Sequence, residues 1–164
     1  MNREQLLEFA TKVESFEEDD QWHVVTTLVE CARKDWAITD DDRKMFLRTL
    51  SSAQRAGLST VPLAIALELG RRTVPNLWER GILITGPSDQ FPTDFAARWS
   101  IKINGVRLGW AKTLALALAA AISRLVATER DRAMAAEFLK QRQEAATDVA
   151  ALKAQLNRHD SDQP

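Results

Sequence analysis

A chain of 164 residues with 45 % hydrophobic and 27 % charged side chains has room for one compact domain of roughly 100 to 150 residues plus an extension, and is too apolar for wholesale disorder. Its net charge of −1 hides an asymmetry: residues 1–42 carry 12 acidic and 4 basic side chains, residues 43–142 carry 7 acidic and 16 basic, so a phosphate-facing middle follows an acidic start suited to a protein partner. The first 20 residues lack the pattern of a secretory signal, the longest apolar stretch, Leu114 to Ile122, is far too short to cross a bilayer, and the single Cys31 excludes an internal disulfide; a cytoplasmic protein with no membrane contact is expected.

In chain order, Leu6, Leu7, Phe9, Ala10 and Val13 fall at helical spacing, and a second helix is predicted from about Asp19 to Lys34 on Trp22, Val25, Val29 and Ala32. Thr39-Asp40-Asp41-Asp42 supplies capping oxygens and negative charge at the start of a third helix, which carries Met45, Phe46, Leu47 and Leu50 and stops near Gly57. A fourth helix is predicted from Ser59 through Leu69, closed by Gly70, and a short fifth from about Arg72 to Arg80, ended by Gly81. Ile82 to Thr85 reads as a brief strand, and Gly86, Pro87 and Pro92 mark an irregular loop. Alternation on both sides of Asn104-Gly105, from Trp99 to Leu108, predicts a hairpin with a tight type I′ turn. From Ala111 to about Asn157 there is neither Gly nor Pro, so one long helix or two in tandem are expected. The apolar face holds Leu114, Leu118, Ala121, Ile122 and Leu125 first and Phe138, Ala145, Val149, Leu152 and Leu156 later. The first half suits the domain, the second a partner helix.

The segment from Ala56 to Gly81 resembles the phage-repressor-like helix-turn-helix family, including its winged members, over about 25 residues. Leu63, Ala64, Leu67, Leu69, Val74 and Leu77 fall at that family's spacing, while Glu68 stands where the turn usually has glycine and Pro75 sits early in the second helix. The resemblance implies a mainly α multi-helix helix-turn-helix domain with a β-hairpin as wing. It also implies that Arg71, Arg72, Thr73 and Asn76 face base edges, with Arg suited to guanine and Asn to adenine. Arg55, Ser59 and Thr60 would then meet phosphate, and Arg98, Lys102 and Arg107 along the hairpin would follow the backbone or enter a minor groove. Residues 99–121 are also similar to the strand-strand-helix unit of integrase-arm and AP2-type DNA-binding domains, which use a three-stranded sheet where two strands are legible here; Trp99 and Trp110 are expected to plug a small core between hairpin and helix.

The expected organisation is an acidic helical segment over 1–38, a helix-turn-helix domain over 39–127, an oligomerisation helix over 128–157 and a flexible tail over 158–164. Two distant histidines, His23 and His159, and the lack of metal-spaced cysteines or a Gly-rich phosphate loop point away from an enzyme, a metal and a cofactor. The Glu17–Asp20 and Asp40–Asp42 runs are explained by helix caps and solvated faces. The function expected from the sequence is sequence-specific binding of double-stranded DNA by a homodimeric transcriptional regulator of a bacterium or mobile element, paired through the C-terminal helix. The alternative is a helical protein–protein adaptor, binding through its acidic N-terminal helices and long C-terminal helix, with the helix-turn-helix used only as scaffold.

Overall fold

The computed structural model describes residues 1–32, 38–74, 77–87, 98–129 and 133. One compact unit spans Met1–Ala127, and a second spans Thr128–Pro164. The first unit is mainly helical, with a small antiparallel sheet. The C-terminal segment on which the dimer seam was expected lies outside the described residues.

Helix α1 (Arg3–Val13) begins at a reciprocal cap: the Asn2 side chain accepts from the Gln5 amide at 2.9 Å, and the Gln5 side chain accepts from the Asn2 amide at 2.8 Å. A short 3₁₀ turn (Glu18–Asp20) leads into α2 (Gln21–Cys31). Helix α3 (Asp40–Arg55) opens on the same device, Thr39 with Asp42, at 3.1 and 3.2 Å. It ends as expected at Gly57, whose φ of 70° lets the Leu58 amide turn back to the Ala53 carbonyl at 3.0 Å. Of the apolar residues α3 carries, Met45 is 48 % exposed, whereas Phe46 and Leu50 are buried.

Helix α4 (Val61–Thr73) departs from expectation. It runs unbroken through Glu68, Leu69 and Gly70, so no turn separates two crossing helices there. The expected fifth helix is a single 3₁₀ turn at Leu77–Glu79. Two physical reasons account for this. Glu68 sits three and four residues before Arg71 and Arg72, and both ion pairs form along the helix. Gly70 serves close approach instead of termination: a Cβ there would lie 3.1 Å from both Ile122 Cδ1 and Leu77 Cδ2. The helix stops at Val74, extended at φ −119°, ψ 103°, as the residue before a proline prefers.

Strands β1 (Ile82–Thr85), β2 (Trp99–Ile103) and β3 (Val106–Ala111) form an antiparallel sheet in the order β1-β2-β3. Asn104 and Gly105, at φ 50° and 78°, make the expected turn between β2 and β3. The strand at Ile82 thus adds a third member to the hairpin, with Leu83 opposite Lys102 and Thr85 opposite Ser100. A bulge between Ile101 and Lys102 leaves Leu108 as an extra residue of β3.

Helix α5, described over residues 114–129, is the centre of the unit. Every residue from Ala115 to Ser123 is at most 2 % exposed, so this helix is covered on all sides and not on one face. The buried Ser123 hydroxyl donates to the Ala119 carbonyl at 2.8 Å. Helices α1 and α2 share the same core through Leu6, Ala10, Val13, Val24, Val25, Leu28 and Val29. No described helix is long and apolar enough to cross a membrane.

Candidate nucleic-acid interface

The acidic start and the basic middle meet inside the fold. Arg124 of α5 reaches the Glu14 carboxylate at 2.5 Å and the Leu108 carbonyl at 2.6 Å; Lys112 pairs with Glu17; Arg72 pairs with Asp42 at 2.5 Å. With Arg43 on Asp40 and Lys44 on Asp41 within α3, five cations of the middle are answered by acids of residues 1–42, and a nucleic-acid surface must use what is left.

Arg71 and Arg72 lie in the last turn of α4, not at the start of a helix. Arg71 places Nε and Nη2 on Glu68 at 2.8 and 2.7 Å, and Arg72 places Nε on the same carboxylate at 2.6 Å while lying 5.4 Å over the Phe46 ring. Thr73 donates its hydroxyl to the Leu69 carbonyl at 2.9 Å. A helix C-terminus carries the negative end of the helix dipole, which disfavours phosphate. The three expected base readers Arg71, Arg72 and Thr73 thus come together, but in a network that fastens α4 to α3. Asn76 lies outside the described residues.

This network has a pH signature. Hydrogen bonds from Arg71 and then Arg72 hold the Glu68 carboxyl down to about 2 from its ordinary 4.5, and the Thr39 hydroxyl, followed by Arg72, lowers Asp42. A lowered folded-state value adds stability above the unfolded value, and that stability is lost as pH falls through 4.5 toward 2. Glu68→Gln is expected to cost about 1 kcal/mol at pH 7, a modest figure because the group is partly solvated. Urea midpoints of the wild type and Glu68→Gln, followed from pH 7 to pH 3, should converge in acid. A gap that persists unchanged at pH 3 would mean the carboxylate is not what Glu68 contributes.

The expected phosphate contacts separate into two places. Arg55 closes on its own helix, Nε to the Ser51 carbonyl at 3.3 Å, and Ser59 and Thr60 are exposed at the entry to α4. Arg98, Lys102 and Arg107 lie at the sheet.

Residues directly opposite one another in an antiparallel ladder share a face, and faces alternate along each strand. The register places Trp99, Ile101, Ile103, Gly109 and Ala111 on one face, which packs on α5 through Gly109. The other face consists of two cross-strand rows, Leu83–Lys102–Arg107 and Thr85–Ser100–Trp110. Leu83 is 54 % exposed. Arg98 stacks over Trp110 at 4.3 Å and donates Nη1 to the Glu14 carbonyl at 2.6 Å; it ties the sheet to the end of α1. Arg107 approaches the same ring at 5.7 Å. Trp99 is on the α5 side as expected, whereas Trp110 is on the outer face beneath two guanidinium groups. Leu83, Thr85 and Trp110 are members of this face that sequence reasoning missed; the alternation of β1 held the signal, but not its partner.

Among the described residues, Lys102 and Arg107 enter no ion pair, although they are registered directly opposite one another. Like charges in that position repel. Within the described residues no group of three His, Cys, Asp or Glu side chains is placed to hold a metal ion. Comparison with known proteins finds no family model that matches this chain, and no curated protein or solved structure significantly similar to it.

Proposed function

We propose that the chain binds double-stranded DNA through the outer face of its three-stranded sheet, as a transcriptional regulator. The observation that carries this reading is the unneutralised Lys102–Arg107 pair, a repulsion inside the fold that a phosphate or base edge relieves. Size agrees with it: three strands about 4.8 Å apart span about 10 Å, against a major groove about 12 Å wide. The order strand, strand, strand, helix over residues 82–129 also supplies the third strand that the resemblance to integrase-arm and AP2-type domains calls for. Arg107, braced by Trp110, is suited to guanine O6 and N7, and Lys102 to phosphate. In this reading Arg71, Arg72 and Arg98 serve the fold. Pairing of two copies through the amphipathic sequence from Phe138 to Leu156 places two such sheets on one duplex, and the protein acts in the cytoplasm.

The test is fluorescence anisotropy with mixed-sequence 30-bp duplexes at about 50 and 200 mM salt. Binding that weakens steeply with salt is expected, with a log–log slope near −0.9 for each phosphate engaged. No binding at the lower salt overturns the reading and leaves the helical adaptor in its place.

A further inference from the structure

Arg107 and Trp110 stand three residues apart in β3. In a regular strand an odd separation sends two side chains to opposite faces. Both nevertheless belong to the outer face: Arg107 is registered opposite Lys102 and Trp110 opposite Ser100, and Lys102 and Ser100 are two apart in β2. The bulge is the cause, because Leu108 as one extra residue restores the parity. Without it, the hairpin register that sets Ile103 opposite Val106 would carry Trp110 opposite Trp99, on the α5 side, and leave Arg107 without a ring beside it.

A bulge leaves its extra residue unpaired in the ladder, and the Leu108 carbonyl finds its partner on α5 instead. A single nitrogen of Arg124, Nη1, donates both to that carbonyl at 2.6 Å and to the Glu14 carboxylate at 2.5 Å. Glu14 is the C-cap of α1. Its own carbonyl accepts from Arg98 Nη1 at 2.6 Å, and the Arg98 guanidinium lies 4.3 Å over the Trp110 ring. The contacts therefore run from Leu108 through Arg124, Glu14 and Arg98 to Trp110, and close around the bulge. The Arg124 and Glu14 side chains are 23 % and 22 % exposed, so this pair is far less open to solvent than Lys12 with Glu8, at 64 % each. Beside the ring, Arg98 Nε and Ser100 Oγ are buried with no hydrogen-bond partner among the described residues. The ring thus keeps its place although two polar atoms next to it go unanswered.

We propose that Arg124 and Glu14 are positioning residues for the outer sheet face: they hold the Leu108 bulge, and the bulge sets the Arg107 side chain against Trp110. The inference rests on the reading of that face as the DNA surface, and adds to it two residues that touch no DNA. Arg107 is exposed, and a long side chain without support is spread over many rotamers. Paired hydrogen bonds to a guanine edge need one orientation of the guanidinium. Attraction to phosphate, which Lys102 supplies, needs no such fixing. The clamp therefore acts on sequence preference and not on general affinity.

The experiment compares the full chain with Arg124→Met, Glu14→Ala and Glu14→Gln. Two quantities are read: nuclear Overhauser contacts between the Arg107 side chain and the Trp110 ring, and the ratio of affinities for the tightest duplex selected from a randomised pool and for the pool itself. Arg124→Met and Glu14→Ala are expected to lose the Overhauser contacts and to lower the ratio about tenfold, the worth of one paired guanine contact, with the salt slope unchanged. Glu14→Gln, whose side-chain oxygen still accepts from Arg124, should stay near the wild type. Equal weakening on the selected duplex and the pool is what a purely structural role produces, and it overturns the proposal. So do contacts and a ratio that survive in both variants. If Arg124→Met does not fold, Glu14→Ala decides in its place. A wild type that binds no duplex at low salt overturns the DNA reading instead, and the Overhauser contacts then decide alone: their persistence in both variants overturns the clamp.

Discussion

Gly109→Ala is expected to unfold much of the Met1–Ala127 unit. An added Cβ would stand 2.0 Å from the Ala117 carbonyl oxygen, 2.9 Å from its carbon and 3.3 Å from the Ala121 Cβ, and the first two obstacles are backbone. Neither side can give way easily. Gly109 is paired with Ile101 in the ladder, and Ala117 lies in a helix with no exposed side from Ala115 to Ser123. Ordinary overpacking costs about 1 to 3 kcal/mol; here a strand must leave its helix, so at least about 3 kcal/mol is expected, a large part of a typical total of about 5 to 15 kcal/mol. For a chain of this size that is a fall in Tm of roughly 10 °C or more. Gly70→Ala is the control. Its Cβ would meet the far ends of Ile122 and Leu77 at 3.1 Å, which can shift, and alanine gains up to about 1 kcal/mol of helix propensity. Thermal unfolding followed by circular dichroism should therefore separate the two variants widely. Similar midpoints for both would mean that β3 does not lie against the backbone of α5.

The elements legible in the sequence are those whose cause is local. The Thr39–Asp42 cap, the stop at Gly57 and the Asn104-Gly105 turn each need a few adjacent residues, and each formed where expected. What stayed hidden depends on distant partners. Gly70 reads as a helix stop until Ile122 is placed against it. Glu68 occupies a turn position in the helix-turn-helix pattern, yet Arg71, Arg72 and the Asp42 of another helix make it more stable as helix. Ile82 to Thr85 reads as a strand, but its pairing with β2, more than a dozen residues further along the chain, is something no periodicity encodes. Charge was misleading for the same reason: counts along the chain cannot tell which cations Glu14, Glu17 and Asp42 neutralise, and that Lys102 and Arg107 face each other is visible only once the register is known.

That pair gives the second large effect. Replacing Lys102 and Arg107 together by Gln removes two cations that face each other and have no acid partner among the described residues. The fold should be no weaker, and about 0.5 kcal/mol more stable, because a like-charge cross-strand contact is relieved. DNA binding should move the opposite way. Loss of two contacts lowers the magnitude of the log–log salt slope by about 2 and weakens binding roughly 100-fold at low salt. The single variants divide the roles: Lys102→Gln should weaken all duplexes alike, whereas Arg107→Lys should keep the charge and relax the preference among sequences, since an ammonium cannot form the paired bonds that a guanidinium makes to guanine. The comparison is Arg71→Gln with Arg72→Gln, which removes as much charge from the end of α4. It should lower stability, because Glu68 and Asp42 lose their partners, and leave DNA affinity nearly unchanged. A gain in stability with a loss of DNA binding at the sheet, set against a loss of stability with retained binding at α4, is a pattern that general electrostatic attraction does not produce. The reverse pattern would return the reading element to the end of α4 and leave the sheet as scaffold.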